Sequence, residues 1–419
     1  MNNSKAEKKK KINEKTMIVS LDIGKKVHYC YFRTLSGIEV RPFSVLNDSY
    51  SFKSLWVKIC QFAAKHRLEE IVMGFESTGS YALPLVHYFS KKPLRLVQVN
   101  PYHCKRMREV QGNSPNKTDK KDPRVVADII LLNNFLTVII PEGMEAELRE
   151  LTGNRERSVK NRTSMLNQLQ DIIYCIFPEF LQIMKTITTK TSLYLIAHSI
   201  TPESITSLGL ESLGDVMKKL SRGRMKRDLA VKLFQAAQTS IGIKEGVQSK
   251  LLEIRHLLAE IATENQFIEE LVSKMEEYLA QIPYSKFILS IKGLGIVTVA
   301  GLIGEFGDLR KFDTCGEVIK MAGLNLYEVS SGDHKGQRRI SKRGRSLIRK
   351  FLYYASLRIV NAHGMMREKY QQLLNRGMVK MKALTCIMRK LLRTIFALVR
   401  DGSRYKDTQG EFIDYKLAA

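Results

Sequence analysis

The fold is decided by MIVSLDIGKKVHYCYFRTLSGIEVRPFSV (17–45). Within it, MIVSLDI (17–23), HYCYFR (28–33) and EVRPFSV (39–45) are short runs rich in β-branched and aromatic residues, separated by Gly24 and by the Ser36-Gly37 turn. Two closely spaced turns between three such runs predict an antiparallel meander. Ser51–Arg67 then carries apolar residues at helical steps (Phe52, Leu55, Trp56, Ile59, Phe62, Ala63). EEIVMGFE (69–76) reads as a buried strand ending in an acid, Tyr81–Phe89 as a short helix, and LRLVQV (94–99) as another strand. The polar, basic segment 100–122, punctuated by Gly, Pro and Asn, is expected to be a loop, with a helix over 123–135.

The order β-β-β-α-β-α-β-α is that of an RNase H/RuvC-like domain whose mixed sheet begins as a meander, so 17–140 is read as one α/β domain behind a basic flexible tail, 1–16. Residues 141–282 are almost wholly helical in pattern. In Val247–Ile282, Leu251, Ile254, Leu257, Leu258, Ile261, Ile268, Leu271, Met275 and Leu279 recur at three- and four-residue steps. That spacing fits a coiled coil or long helical hairpin, and one helix of an ordinary bundle fits it equally. Residues 283–405 form a basic, mainly helical C-terminal unit, followed by a tail, 406–419. The fold class is therefore α/β plus α. In IKGLGIVTVAGLIGEFGD (291–308), Gly293 and Gly295 lack the third glycine of a dinucleotide fingerprint and the GK[ST] of a P-loop. A helix-hairpin-helix turn suits them better, with structural packing alone an equal reading.

Composition narrows the partner. The 419 residues hold 68 Lys+Arg against 42 Asp+Glu, a formal net charge of +26, and the first sixteen residues account for only a small part of it. Cations spread through folded segments are the footprint of a nucleic-acid binder. No stretch approaches the roughly 20 uncharged apolar residues of a bilayer span, and the N-terminus has no apolar run behind its basic one, so neither a membrane partner nor secretion is expected. Six cysteines without a CxxC pair argue against a zinc site or a disulfide framework and for a reducing cytoplasm.

Four acids stand out. Asp22 and Glu76 each close an apolar strand, where a carboxylate is costly unless solvated or bound to a cation. Asp119 and Asp122 lie three apart in KTDKKDPRVVAD (117–128), at the entry to a helix, a spacing that can set both on one side of the first turn. Hard oxygens from two strand ends and a helix start suit a pair of divalent cations acting on a phosphodiester. An N-cap role for Asp122 before Pro123, and an ordinary surface role for Glu76, remain open on spacing alone.

LDIGKKVHYCYF, GFESTGSYALPLVHYF, VNPYHCKRMRE and KTDKKDPRVVAD resemble, in order, the N-terminal domain of the DEDD transposases of bacterial insertion sequences, the IS-one-ten family of RNA-guided bridge recombinases. IKGLGIVTVAGLIGEFGDLRKF, MAGLNLYEVSSGD and GQRRISKRGRSLIRKFLYYAS resemble that family's C-terminal transposase domain. The resemblance implies a RuvC-like domain in which Asp22, Glu76, Asp119 and Asp122 bind Mg²⁺ (or Mn²⁺). It makes Ser331 of the SSG turn the nucleophile toward DNA, with Ser330 and Ser341 as alternatives. It further implies strand exchange through a phosphoserine link, a structured guide RNA, and a homo-oligomer, dimer or tetramer. Pro123 and Asp333 depart from the family pattern, which more often shows a small residue and a glycine there.

Beside the resemblance, the residues carry chemistry of their own. A serine hydroxyl needs a base, a metal or a strong field to attack. Arg338, Arg339, Lys342, Arg343, Arg345, Arg349 and Lys350 follow the SSG turn with no acid among 338–350. Lys105, Arg106, Arg108, Lys117, Lys120 and Lys121 surround the acid pair, Tyr102 and His103 offer rings for base stacking, and 361–400 carries nine Lys/Arg against one Glu. The alternative enzyme is a RuvC-like, structure-selective nuclease (a Holliday-junction resolvase) using metal-activated water. A non-enzymatic nucleic-acid chaperone or architectural protein is the alternative outside catalysis.

Overall fold

The structure, a computed structural model, describes residues 11–76, 79–112, 122–138, 141–225, 227–328, 336 and 338–406. The chain forms two compact units, 1–140 and 141–419. In the first, β1 (Thr16–Asp22), β2 (Val27–Thr34), β3 (Phe43–Leu46), β4 (Glu70–Glu76), β5 (Arg95–Val99) and β6 (Leu136–Thr137) make one sheet in the order β3-β2-β1-β4-β5-β6. The meander β1–β2–β3 is antiparallel, β1–β4 and β4–β5 are parallel, and β6 returns antiparallel along β5. This mixed sheet is the arrangement of an RNase H-like domain.

Alternation along β1 sorts the two faces. Met17, Val19 and Leu21 pack with Phe52, Leu55 and Ile59 of α1 (Ser49–Lys65) and Leu85 and Phe89 of α2 (Leu83–Phe89). Ile18 and Val72 pack on the other face, with Cys104 of α3 (Pro101–Gly112) and Val125, Val126 and Ile129 of α4 (Asp122–Leu131). Gly74 lets α4 lie close: a Cβ there would sit 2.3 Å from Ile130 Cδ1 and 2.9 Å from Val97 Cγ2. Asp22 and Glu76 belong by parity to this α4 face.

The expected loop over 100–122 is corrected: 101–112 is α3. Its start has a physical signature, Asn100 Oδ1 accepting from the Tyr102 amide at 2.9 Å with Pro101 in the first turn. Its polar composition reflects a helix that buries Cys104 and carries an exposed Arg106–Glu109 ion pair at 2.8 Å.

In the second unit, α5 (Gly143–Ile176) and α11 (Val247–Gln281) lie along one another. Five shorter helices fall between them in sequence: α6 (Pro178–Ile183), α7 (Lys190–His198), α8 (Pro202–Leu208), α9 (Leu210–Leu220) and α10 (Arg227–Gln238). The hairpin is antiparallel. One end shares a core with the shorter helices (Ile173, Phe177, Leu195, Leu233, Leu257). The other end, through Leu148, Met275 and Leu279, joins the core of the C-terminal helices. The arm and the C-terminal part are thus continuous.

That C-terminal part contains α12 (Ser285–Leu289), α13 (Ile296–Phe306), α14 (Cys315–Met321), the two-stranded ribbon β7 (Leu326–Tyr327) and β8 (Arg339–Ile340), α15 (Ser346–Asn361), α16 (Met365–Asn375) and α17 (Lys380–Asp401). α12 and α13 flank a turn at Gly293, whose φ is +99°. At Gly304 of α13 a Cβ would stand 2.6 Å from the Arg149 backbone nitrogen of α5. Backbone cannot step aside as a side-chain tip can, so Gly304→Ala is expected to destabilise this unit by about 3 kcal/mol and lower its Tm by roughly 6 °C or more. An unchanged melting curve would show that the two helices are not held this closely.

Candidate active site

Register brings the first two acids side by side. Leu21 pairs with Phe75 in the parallel β1–β4 ladder, so Asp22 and Glu76 are the next residues on adjacent strands, about 5 Å apart in backbone terms, and on the same face. Helix α4 begins at Asp122 over that face and buries its carboxylate almost completely, at 2% exposure. Arg108, one turn beyond Cys104 on α3, spans the gap: its Nε donates to Asp122 Oδ1 at 2.7 Å and its Nη2 to Glu76 Oε2 at 3.0 Å. Burial opposes the charge of Arg108, but the Asp122 and Glu76 carboxylates outweigh it and hold the guanidinium above its ordinary pKa. Burial first, then the negative charge of Glu76, pushes the Cys104 thiol up to about 12, so it stays protonated at neutral pH.

Among the described residues, Asp122 Oδ2 is buried without a hydrogen-bond partner. A buried anionic oxygen is costly to leave so, and it is what a hard divalent cation takes as a ligand. Asp119, with Lys117, Lys120 and Lys121, lies outside the described residues. Among those described, no three His, Cys, Asp or Glu side chains stand close enough to share an ion. The donors that are described fit a divalent cation in kind, and Glu76 and Asp122 already share one positive group. Removing that group should expose the preference. In chelator Arg108→Met is expected to destabilise the N-terminal unit by about 3 kcal/mol. Added Mg²⁺ should raise the variant's Tm more than the wild type's. Equal responses of the two proteins would refute a cation preference at these oxygens.

The expected nucleic-acid cations divide by what they touch. Arg108 is engaged with the acids. Arg345 is largely buried and donates to the Glu305 carbonyl at 2.5 Å and its carboxylate at 3.2 Å. Arg349 Nη1 is within 3.0 Å of the carbonyls of Ala322 and Gly344. Arg345 thus ties the start of α15 to α13, and Arg349 ties α15 to the α14–α15 connection. Lys350 pairs with Glu156, and Arg338 with Glu328 at 2.8 Å. Lys105, Arg106, Arg339, Lys342 and Arg343 are exposed. The guanidinium of Arg106 lies over the Tyr102 ring at 5.5 Å, covering one of the faces considered for stacking. Ser330, Ser331 and His334 lie outside the described residues, in the sequence between β7 and β8.

With this geometry in view, two family profiles match. Residues 19–178 match the transposase profile of the DEDD, IS110 type, and residues 285–371 match that of the transposase IS116/IS110/IS902 family. The chain belongs to the IS110 family of insertion-sequence transposases. Its substrate is therefore DNA. Among its relatives, a 44.8 kDa protein of insertion element IS116 from Streptomyces clavuligerus is 24% identical over 91% of this chain and 94% of its own length. A 43.6 kDa protein of insertion element IS110 from Streptomyces coelicolor is 21% identical over 93% and 95%. The transposase has no helix, among the described residues, long and apolar enough to cross a membrane. All six cysteines are free.

Proposed function

We propose that this transposase cuts and rejoins DNA strands by serine-based phosphoryl transfer at a divalent-cation site formed by Asp22, Glu76, Asp119 and Asp122. The observation that carries this is the convergence of β1, β4 and the α4 N-terminus on one corner, with Asp122 Oδ2 buried there and, among the described residues, unpartnered. A cation at those carboxylates, Mg²⁺ by the hardness of the donors, supplies charge stabilisation at a phosphoryl oxygen. Ser331 Oγ attacks phosphorus, forming a phosphoserine ester. One P–O bond of the backbone breaks, and its oxygen departs as a hydroxyl with the proton that Oγ gave up. The reverse attack, by a hydroxyl of the strand to be joined, releases the serine. Arg339 of β8 and Lys342 just after it, both exposed, are suited to hold the phosphate.

Target choice in this reading comes from a structured guide RNA bound along the basic surfaces, and strand exchange uses a homo-oligomer, dimer or tetramer, so that two sites act together. Incubation with DNA carrying the element ends, guide RNA and Mg²⁺, followed by denaturing gel analysis, tests it. A protein–DNA adduct that appears only with RNA and metal is expected. Cut DNA without any adduct would instead indicate a nuclease using water, and adduct formation without RNA would remove the guide.

A further inference from the structure

Opposite the acid face, at the same end of the sheet, a surface pocket of about 540 Å³ opens between α1 and α2, lined among others by Asn47, Phe52, Pro84, His87, Tyr88 and Lys91. The volume falls within the range of about 300–1,000 Å³ typical of small-molecule sites. Its position follows from the meander. Asn47, just after β3, accepts the end of the β1–β2 turn, its backbone amide donating to the Lys26 carbonyl at 3.0 Å. That turn, Gly24–Lys26, leaves Asp22 on one side of the sheet end and the pocket on the other.

From this we infer that the pocket holds one unpaired nucleotide of the nucleic acid engaged at the acid site. The inference rests on the reading of this protein as a transposase and adds a binding site to it. Half-buried Tyr88 supplies ring surface for a base, over a floor formed by the buried Phe52. Asn47 and Ser49 supply polar groups for its edge. Lys25, Lys26 and Lys91 are exposed around the opening, and Lys92 lies over the rings of Trp56 at 5.6 Å and Tyr88 at 5.5 Å. Cations at the rim and rings inside match phosphate outside and base within. The one acid in the lining, Asp48, caps α1, accepting from the Ser51 amide at 2.7 Å and the Ser51 hydroxyl at 3.2 Å. A paired, stacked base does not enter such a site without leaving its duplex, so the pocket selects single strands.

Trp56 is the only tryptophan in the chain and reports on the pocket through its contact with Lys92. Titration of the full-length protein with thymidine and uridine hexamers should quench its emission, while a blunt hairpin duplex should not. Tyr88→Ala, and independently the exposed Lys91→Glu, which cannot disturb the core, should weaken the hexamer response about tenfold or more. Quenching by the DNA hexamer alone or the RNA hexamer alone would support the pocket and identify its strand. Equal quenching by duplex, or hexamer affinity unaltered in Lys91→Glu, would overturn it. A silent Trp56 with binding of duplex element ends intact in a gel shift would overturn the pocket and leave the transposase reading standing.

Discussion

Glu76→Gln is expected to lose DNA cleavage by roughly 10³-fold while keeping fold and DNA binding. The substitution preserves size and leaves an amide oxygen that still accepts from Arg108, whose second bond, to Asp122 at 2.7 Å, is untouched. What it removes is one negative charge from a corner where Glu76 and Asp122 both pair with Arg108. Cation-assisted stabilisation of a phosphoryl transition state is worth several kcal/mol, and about 4 kcal/mol is close to three decades in rate. Asp22→Asn and Asp122→Asn should behave alike. Asp128 provides the control: it sits on the same helix but pairs with Arg33. Asp128→Asn should lower stability without a comparable loss of cleavage. Plasmid nicking measured beside melting curves separates the two effects. Cleavage by Glu76→Gln at the wild-type rate would remove the acid corner from the chemistry.

How much of this is legible in the sequence depends on what each residue has to signal. The β-rich runs and their turns point to the meander, because alternation and glycine act within a few residues. The acids at the ends of β1 and β4 stand out because a carboxylate closing an apolar run is anomalous in itself. Helix α3 escapes the pattern, since its apolar stripe is little more than Cys104 and Met107 and its charged face outweighs it; Asn100-Pro101 is the available clue. Two-residue β6 carries no period at all, and its pairing with β5 is set by the sheet edge it covers. Arg108 reads as one cation of a basic cluster, and only tertiary structure shows it between acids 32 and 14 residues away. Likewise Arg345 and Arg349 look like their neighbours in sequence, yet the fold turns them onto Glu305 and onto backbone carbonyls. Charge counts register a cation's presence, and its use is decided by what the chain folds beside it.

Ser331→Ala is expected to abolish the protein–DNA adduct outright, with Ser330→Ala retaining it. Deleting a serine nucleophile costs on the order of 10⁶-fold in enzymes where it has been measured, because no other group takes over the covalent step. The third serine of the segment is already committed. Ser341 Oγ bonds to Asn325 Oδ1 at 2.5 Å and accepts from the Arg343 amide at 3.3 Å, fixing the turn between β8 and α15. Attack from Ser341 would first have to break that turn, so Ser341→Ala should lower stability and leave adduct formation in place. The cations around it sharpen the expectation. Arg345 and Arg349 serve the fold, so replacing either should melt the C-terminal unit earlier, whereas Arg339→Ala and Lys342→Ala should weaken the step that needs phosphate held. Adduct mass mapped by peptide analysis decides among the three serines. An adduct that survives in Ser331→Ala and disappears in Ser330→Ala would move the nucleophile by one residue, and one that survives in all three would place the covalent bond elsewhere in the chain.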